Sequence, residues 1–237
     1  MFAKFLKFLI ALALLPLLAA ELWTLFEIAR DTAARGTWSD TWVLFLIAGS
    51  AIWLLIFLLL PRPMWLYVLG HEFTHALAAM LAGGKVTAFK VTSKGGHILT
   101  DRVNWWIALS PYFVPIYAFI WVALWLSINF YFPLNKWQPV LFFGLGLFWC
   151  FHVTFTASMF HLRQTDLTSQ GIIFSLVIIL VFNLAVILAP ASLLTHNLKG
   201  AGQTFVHCVS QSYVFTGREI GRGADWALKQ WHDQHQK

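Results

Sequence analysis

Apolar residues run along this chain in long blocks with short polar breaks between them, and the blocks neither alternate like strands nor keep to one helical face. A bilayer core is crossed by about 20 apolar residues. By that measure there are six candidate stretches: Phe2–Ile28, Thr41–Leu60, Met64–Ala82, Trp105–Phe132, Pro139–Phe160 and Gly171–Ala189. The pattern predicts an all-α polytopic membrane protein with about six transmembrane helices. Lys4, Lys7 and the run ending Leu18-Ala19-Ala20 also resemble a signal peptide. The apolar stretch continues through Leu22–Ile28 without a polar break, which favours an uncleaved span.

Two of the breaks have structure of their own. Pro61-Arg62-Pro63 makes a tight connection, because proline cannot donate the hydrogen bond of a continuing helix. Gly83–Asn104 alternates locally, with Thr87, Phe89 and Val91 on one side and Val86, Ala88 and Lys90 on the other. With Gly95-Gly96 as the turn signal, it predicts a short β-hairpin inserted after the third span. The tail is mixed and polar from Ser192, with a short helix expected at Ala224–Trp231. The chain thus reads as N-terminal helices (1–63), a core of spans and hairpin (64–190) and a polar tail (191–237).

Composition agrees with a membrane setting. Hydrophobic residues make up 59% and charged residues 11% of the chain, against about 25% charged in soluble domains. The net charge of +6 does not point to nucleic acid, because the basic residues are scattered singly rather than clustered with aromatics. They suit span ends facing anionic lipid, as do Trp23, Trp65 and Trp137. Short loops on the hairpin face carry Arg30, Arg35, Lys85, Lys90, Lys94, Arg102 and Arg163, against Lys4, Lys7, Arg62 and Lys136 opposite. That bias makes the hairpin face cytoplasmic, in the cell membrane. Cys150 and Cys208 form neither a disulfide framework nor a cysteine metal site.

Candidate chemistry sits in the third span, at His71-Glu72-Phe73-Thr74-His75. Spacing of i and i+4 puts both imidazoles on one helical face, where they can share an ion. Zinc is the natural partner for two imidazoles, a carboxylate and water. Glu72, beside the ion, can take a proton from water and return it to a leaving amine. A carboxylate in an apolar span is costly and usually marks function. The third ligand must lie on the membrane face to which the third span descends. Asp166, just after the fifth span, meets that condition, with a cap on the following helix as its alternative role. His97, Asp101, His152 and His161 are the alternatives.

These residues resemble the site-two protease family of intramembrane zinc metalloproteases, over roughly Met64 to Ala189. The resemblance lies in H-E-x-x-H within a membrane helix, the Ala-rich Ala76–Ala82, Gly83-Gly84, the β-segment Lys85–Thr100 and two further spans leading to an aspartate. Gly95-Gly96-His97 and Ala108-Leu109-Ser110-Pro111-Tyr112 are similar to a smaller branch of that family without accessory domains. The resemblance implies His71, His75 and Asp166 as Zn2+ ligands, Glu72 as general base, and a membrane protein or peptide as substrate. Gln164-Thr165-Asp166-Leu167 departs from the family's usual Asn-Pro…Leu-Asp-Gly, and its Gly-Pro…Asn opening of the next span is absent. Asn104 is a candidate to fill that gap as a donor to the substrate carbonyl. Two readings compete with proteolysis. One is a non-proteolytic assembly or transport factor with a structural metal; the other is a haem anchor using His71 or His75 with His152.

Overall fold

The computed structural model describes residues 2–36, 40–160, 164–194 and 198–235. The described chain is helical except for one antiparallel hairpin. In order, the elements are α1 (Phe2–Ala34), α2 (Thr41–Leu59), α3 (Met64–Leu81), β1 (Val86–Thr92), β2 (Gly95–Thr100), α4 (Trp105–Leu109), α5 (Ile116–Tyr131), α6 (Gln138–Met159), α7 (Thr165–Gln170), α8 (Ile172–Leu194) and α9 (Leu198–His235).

Three described stretches are long and apolar enough to cross a membrane: Phe2–Ala34, Thr41–Leu59 and Asn135–Met159. This is the character of an integral membrane protein, but it is fewer than six spans. The expected span Trp105–Phe132 is broken, with Trp105–Tyr112 and Ile116–Tyr131 meeting at 76°. Pro111 and Pro115 lack the amides a continuous helix needs. The Ser110 carbonyl instead accepts from Phe113 and Val114, at 3.2 and 2.9 Å, in a 3-10 turn before α5 begins after Pro115. α3 forms where expected, but His71, Glu72, Thr74 and His75 make it less apolar than the crossing helices. In α8 the apolar stretch runs over Ile172–Leu188. Gly171, at φ 99°, a conformation open mainly to glycine, separates α8 from α7.

The hairpin pairs β1 with β2, from Val86 opposite Thr100 to Thr92 opposite Gly95. Its turn is Ser93-Lys94, two residues earlier than the glycine signal suggested. Gly95 opens β2 directly after the turn, at φ 145°, and Gly96 follows it in the strand. The tail helix is longer than the expected Ala224–Trp231, because α9 runs unbroken over 38 residues.

Packing divides the chain into two compact units, Met1–Ala34 with Leu180–Lys237, and Arg35–Ile179. In the first, α1 packs on α9 and the Tyr213 hydroxyl donates to the Ala13 carbonyl at 2.9 Å. In the second, the main helix pair is α2 with α6. A side chain at Gly49 would collide with the Phe143 carbonyl, and one at Gly146 with the Leu46 carbonyl, so glycine sets how closely the backbones approach. Trp53 stacks into a cluster with Phe151 and Phe155, and its Nε1 donates to Thr154 Oγ1 at 2.9 Å. Hairpin and bend both pack against α3 in this unit.

Candidate metal centre

α3 restarts helix after Pro63 and presents His71 and His75 one turn apart. Gly70 lets a neighbour come close at this point. Any side chain there would meet the Tyr117 ring at 2.7 Å, and the Tyr117 hydroxyl donates to the Leu66 carbonyl at 2.5 Å. These contacts fasten α5 to α3 one residue before the first histidine.

The structure brings three potential ligand residues together. His71 Nε2 and His75 Nε2 lie 3.2 Å apart, and each lies 3.5 Å from Asp166 Oδ2. A tetrahedral ion bonded at about 2.0–2.1 Å needs its ligand atoms about 3.3–3.4 Å apart. The triangle therefore has the size a small divalent metal ion requires, and its donors are of the right chemistry. Among the described residues, these three form the group able to hold such an ion.

Each member of the triangle is held by another group. His75 Nδ1 donates to the Ile107 carbonyl at 2.7 Å, which leaves Nε2 of the neutral ring with its lone pair directed into the site. His71 Nδ1 lies 3.3 Å from the Tyr67 hydroxyl, so with Nε2 serving as ligand, Nδ1 carries the proton and donates. Asp166 Oδ2 accepts from the Tyr112 hydroxyl at 3.2 Å. Burial pushes the Asp166 carboxyl upward, but in the metal-free protein hydrogen bonds and positive charge from His71 and His75, when these are protonated, outweigh it. The group is held well below the usual carboxylate range, in the ionised form a metal ligand needs.

Asp166 reaches the site from the first turn of α7, where Gln164 takes the N-cap position. Asp166 therefore does not occupy the N-cap position, and Gln164 there makes no side-chain capping bond. Glu72 is buried on α3, three residues before His75 and hence on the same side of the helix. β2 lies directly over it, since a side chain at Gly96 would meet Glu72 Cγ at 2.6 Å and the Lys90 carbonyl at 2.7 Å. The hairpin is in this way seated on the acidic residue of the motif.

The other candidates fall elsewhere. Asn104 caps α4, its Oδ1 accepting from the Ile107 amide at 2.8 Å, which leaves only its amide nitrogen for a substrate. Asp101 closes the base of the hairpin by accepting from the Lys85 amide at 2.7 Å. His97 is exposed on β2. His152 is buried on α6 and lines a small cleft with His71, Thr74 and Tyr117, outside the triangle. His161 lies outside the described residues. Sequence reasoning missed the orienting groups Tyr67, Ile107 and Tyr112. Tyr67 had a signal, standing one turn before His71 on the same helix; the Ile107 carbonyl had none.

No protein-family model, curated protein or solved structure matches the chain.

Proposed function

We propose that this chain is an intramembrane zinc metalloendopeptidase of the site-two protease type, cleaving membrane proteins or peptides. The observation that carries the reading is the triangle of His71, His75 and Asp166, with buried Glu72 on the same helix as both histidines. Three protein ligands are the number found in catalytic rather than closed structural zinc sites. Zinc held there by His71, His75 and Asp166 would supply Lewis acidity toward the scissile carbonyl and the attacking water. Glu72 takes the proton of the attacking water and hands it to the departing amine, so the protein forms no covalent intermediate. The orienting bonds from Tyr67, Ile107 and Tyr112 keep the ligands from turning during the reaction.

A membrane substrate helix satisfies its own backbone and must unwind before it can be cut. The two-stranded sheet over Glu72 offers strand edges that can take the unwound stretch as an added strand. The Asn104 amide nitrogen is the candidate donor to the substrate carbonyl. The basic short loops favour a site opening toward the cytoplasmic face of the cell membrane.

The test compares wild type with Glu72→Gln, both in lipid nanodiscs, on a panel of single-span peptides. Both proteins should hold one zinc per chain, and cleavage should fall by about 10²–10⁴-fold in the variant. Equal cleavage by the two proteins would overturn the mechanism. Zinc in both with cleavage by neither would favour the structural-metal reading.

A further inference from the structure

The bend between α4 and α5 first reads as a broken span, yet its apex is among the best-packed parts of the protein. Ser110, Pro111 and Tyr112 are all buried, and Tyr112 has no exposed surface. An aromatic residue at the end of an apolar stretch usually lies at the lipid interface. This one points inward, toward the metal centre.

We propose that Tyr112 is a positioning residue for the metal centre, tying Asp166 on α7 to His71 on α3. The inference rests on the metal reading above and extends it to a residue with no assigned role. The Tyr112 hydroxyl donates at 3.2 Å to Asp166 Oδ2, the same oxygen that lies 3.5 Å from both histidine Nε2 atoms. A carboxylate can rotate and present either oxygen. A donor fixed on one of them selects which oxygen enters the site, and that oxygen keeps lone pairs for an ion. The Tyr112 ring stands edge-on to His71, with centroids 5.2 Å apart and planes at 85°, so the same side chain also blocks rotation of that imidazole.

The bend and the helix leading into it thereby reach all three candidate ligands, because Ile107, which orients His75, lies on α4 just before the bend. Asp166 needs such help most. It belongs to a helix of six residues, whereas both histidines share the rigid frame of α3. Removing an orienting group of this kind typically weakens metal binding by about 10–100-fold.

The experiment uses the full chain in detergent, with zinc affinity measured by chelator competition and ligand geometry read from the visible bands of the cobalt-substituted protein. Tyr112→Phe keeps the ring and its packing but removes the hydroxyl. It should bind zinc about 10–100-fold more weakly than wild type and shift the cobalt bands. Tyr117→Phe removes a hydroxyl from the same region, but one bonded to the Leu66 backbone and not to a ligand. It should leave the cobalt bands unchanged. In an Asp166→Asn background the loss caused by Tyr112→Phe should largely vanish, because the hydroxyl no longer holds an ionised ligand. Wild-type affinity and bands in Tyr112→Phe, equal losses in Tyr112→Phe and Tyr117→Phe, or losses that multiply with Asp166→Asn would each overturn the inference while leaving the metal site standing. A wild-type protein that takes up neither zinc nor cobalt would overturn the metal reading, and this inference with it.

Discussion

The α2–α6 pair and the surroundings of α3 belong to one compact unit, but they are held together by different means. Between α2 and α6 the side chains are mostly apolar, and the fit depends on what is missing: Gly49 and Gly146 leave room for the opposing carbonyls. Two polar bonds cross that interface, from Trp53 Nε1 to Thr154 Oγ1 at 2.9 Å and from Ser50 Oγ to the Gly146 carbonyl at 3.1 Å. Around α3 the fit depends on what is present. His71, Glu72, Thr74 and His75 fall within five residues, and groups from α4, the bend and α7 reach in to meet the histidines. Thr74 bonds within its own helix, to the Gly70 carbonyl at 2.7 Å. Contact by shape is spread over many weak interactions, whereas directed bonds in a low dielectric are few and individually expensive to lose. Damage to the first region should therefore reduce stability, and damage to the second should reduce chemistry.

The largest effect should come from taking away a ligand. Asp166→Ala should lower zinc from one per chain to near none by elemental analysis, a loss exceeding the roughly 10–100-fold typical of an orienting group. Zinc retained in that variant would move the third ligand elsewhere, with His152, which shares a cleft with His71, next to test. Gly146→Leu probes the other side of the comparison. Its side chain meets the Leu46 backbone, which has little room to yield, so stability should fall by about 1–3 kcal/mol, the cost typical of overpacking. The folded fraction should still bind zinc. Full thermal stability, or loss of zinc from protein that remains folded, would erase the distinction between the regions. The smallest effect should come from Trp53→Phe, which keeps an aromatic ring against Phe151 and Phe155 but loses the bond to Thr154. A cost of about 0.6 kcal/mol is expected, the average for hydrogen bonds between membrane helices, with zinc affinity unchanged.

Some of the fold was legible because it is local. The positions of α2, α3 and α6 followed from apolar blocks and proline breaks, and the hairpin from alternation over a dozen residues. Its turn was displaced because the glycine signal marked the residue after the turn, where φ is 145°, rather than the turn itself. The bend in the fourth stretch was not legible, for the opposite reason. Its composition is apolar throughout, and hydropathy does not register the amides missing at Pro111 and Pro115. The tail helix was underestimated because its apolar residues are spread among polar ones, so no block stands out.

The sequence by itself determined the apolar blocks, the hairpin, and the pairing of His71 with His75, because an i, i+4 spacing on a helix admits one geometry. It also offered a few residues, Asp166 among them, as candidates for a third ligand. Only the tertiary structure placed Asp166 Oδ2 at equal distances from both histidines and brought Tyr112 and the Ile107 carbonyl to the ligands. Those contacts join residues tens of positions apart, across a bend that runs against the hydropathy pattern. Where each group ends up depends on how the helices pack, and no local spacing in the chain records that.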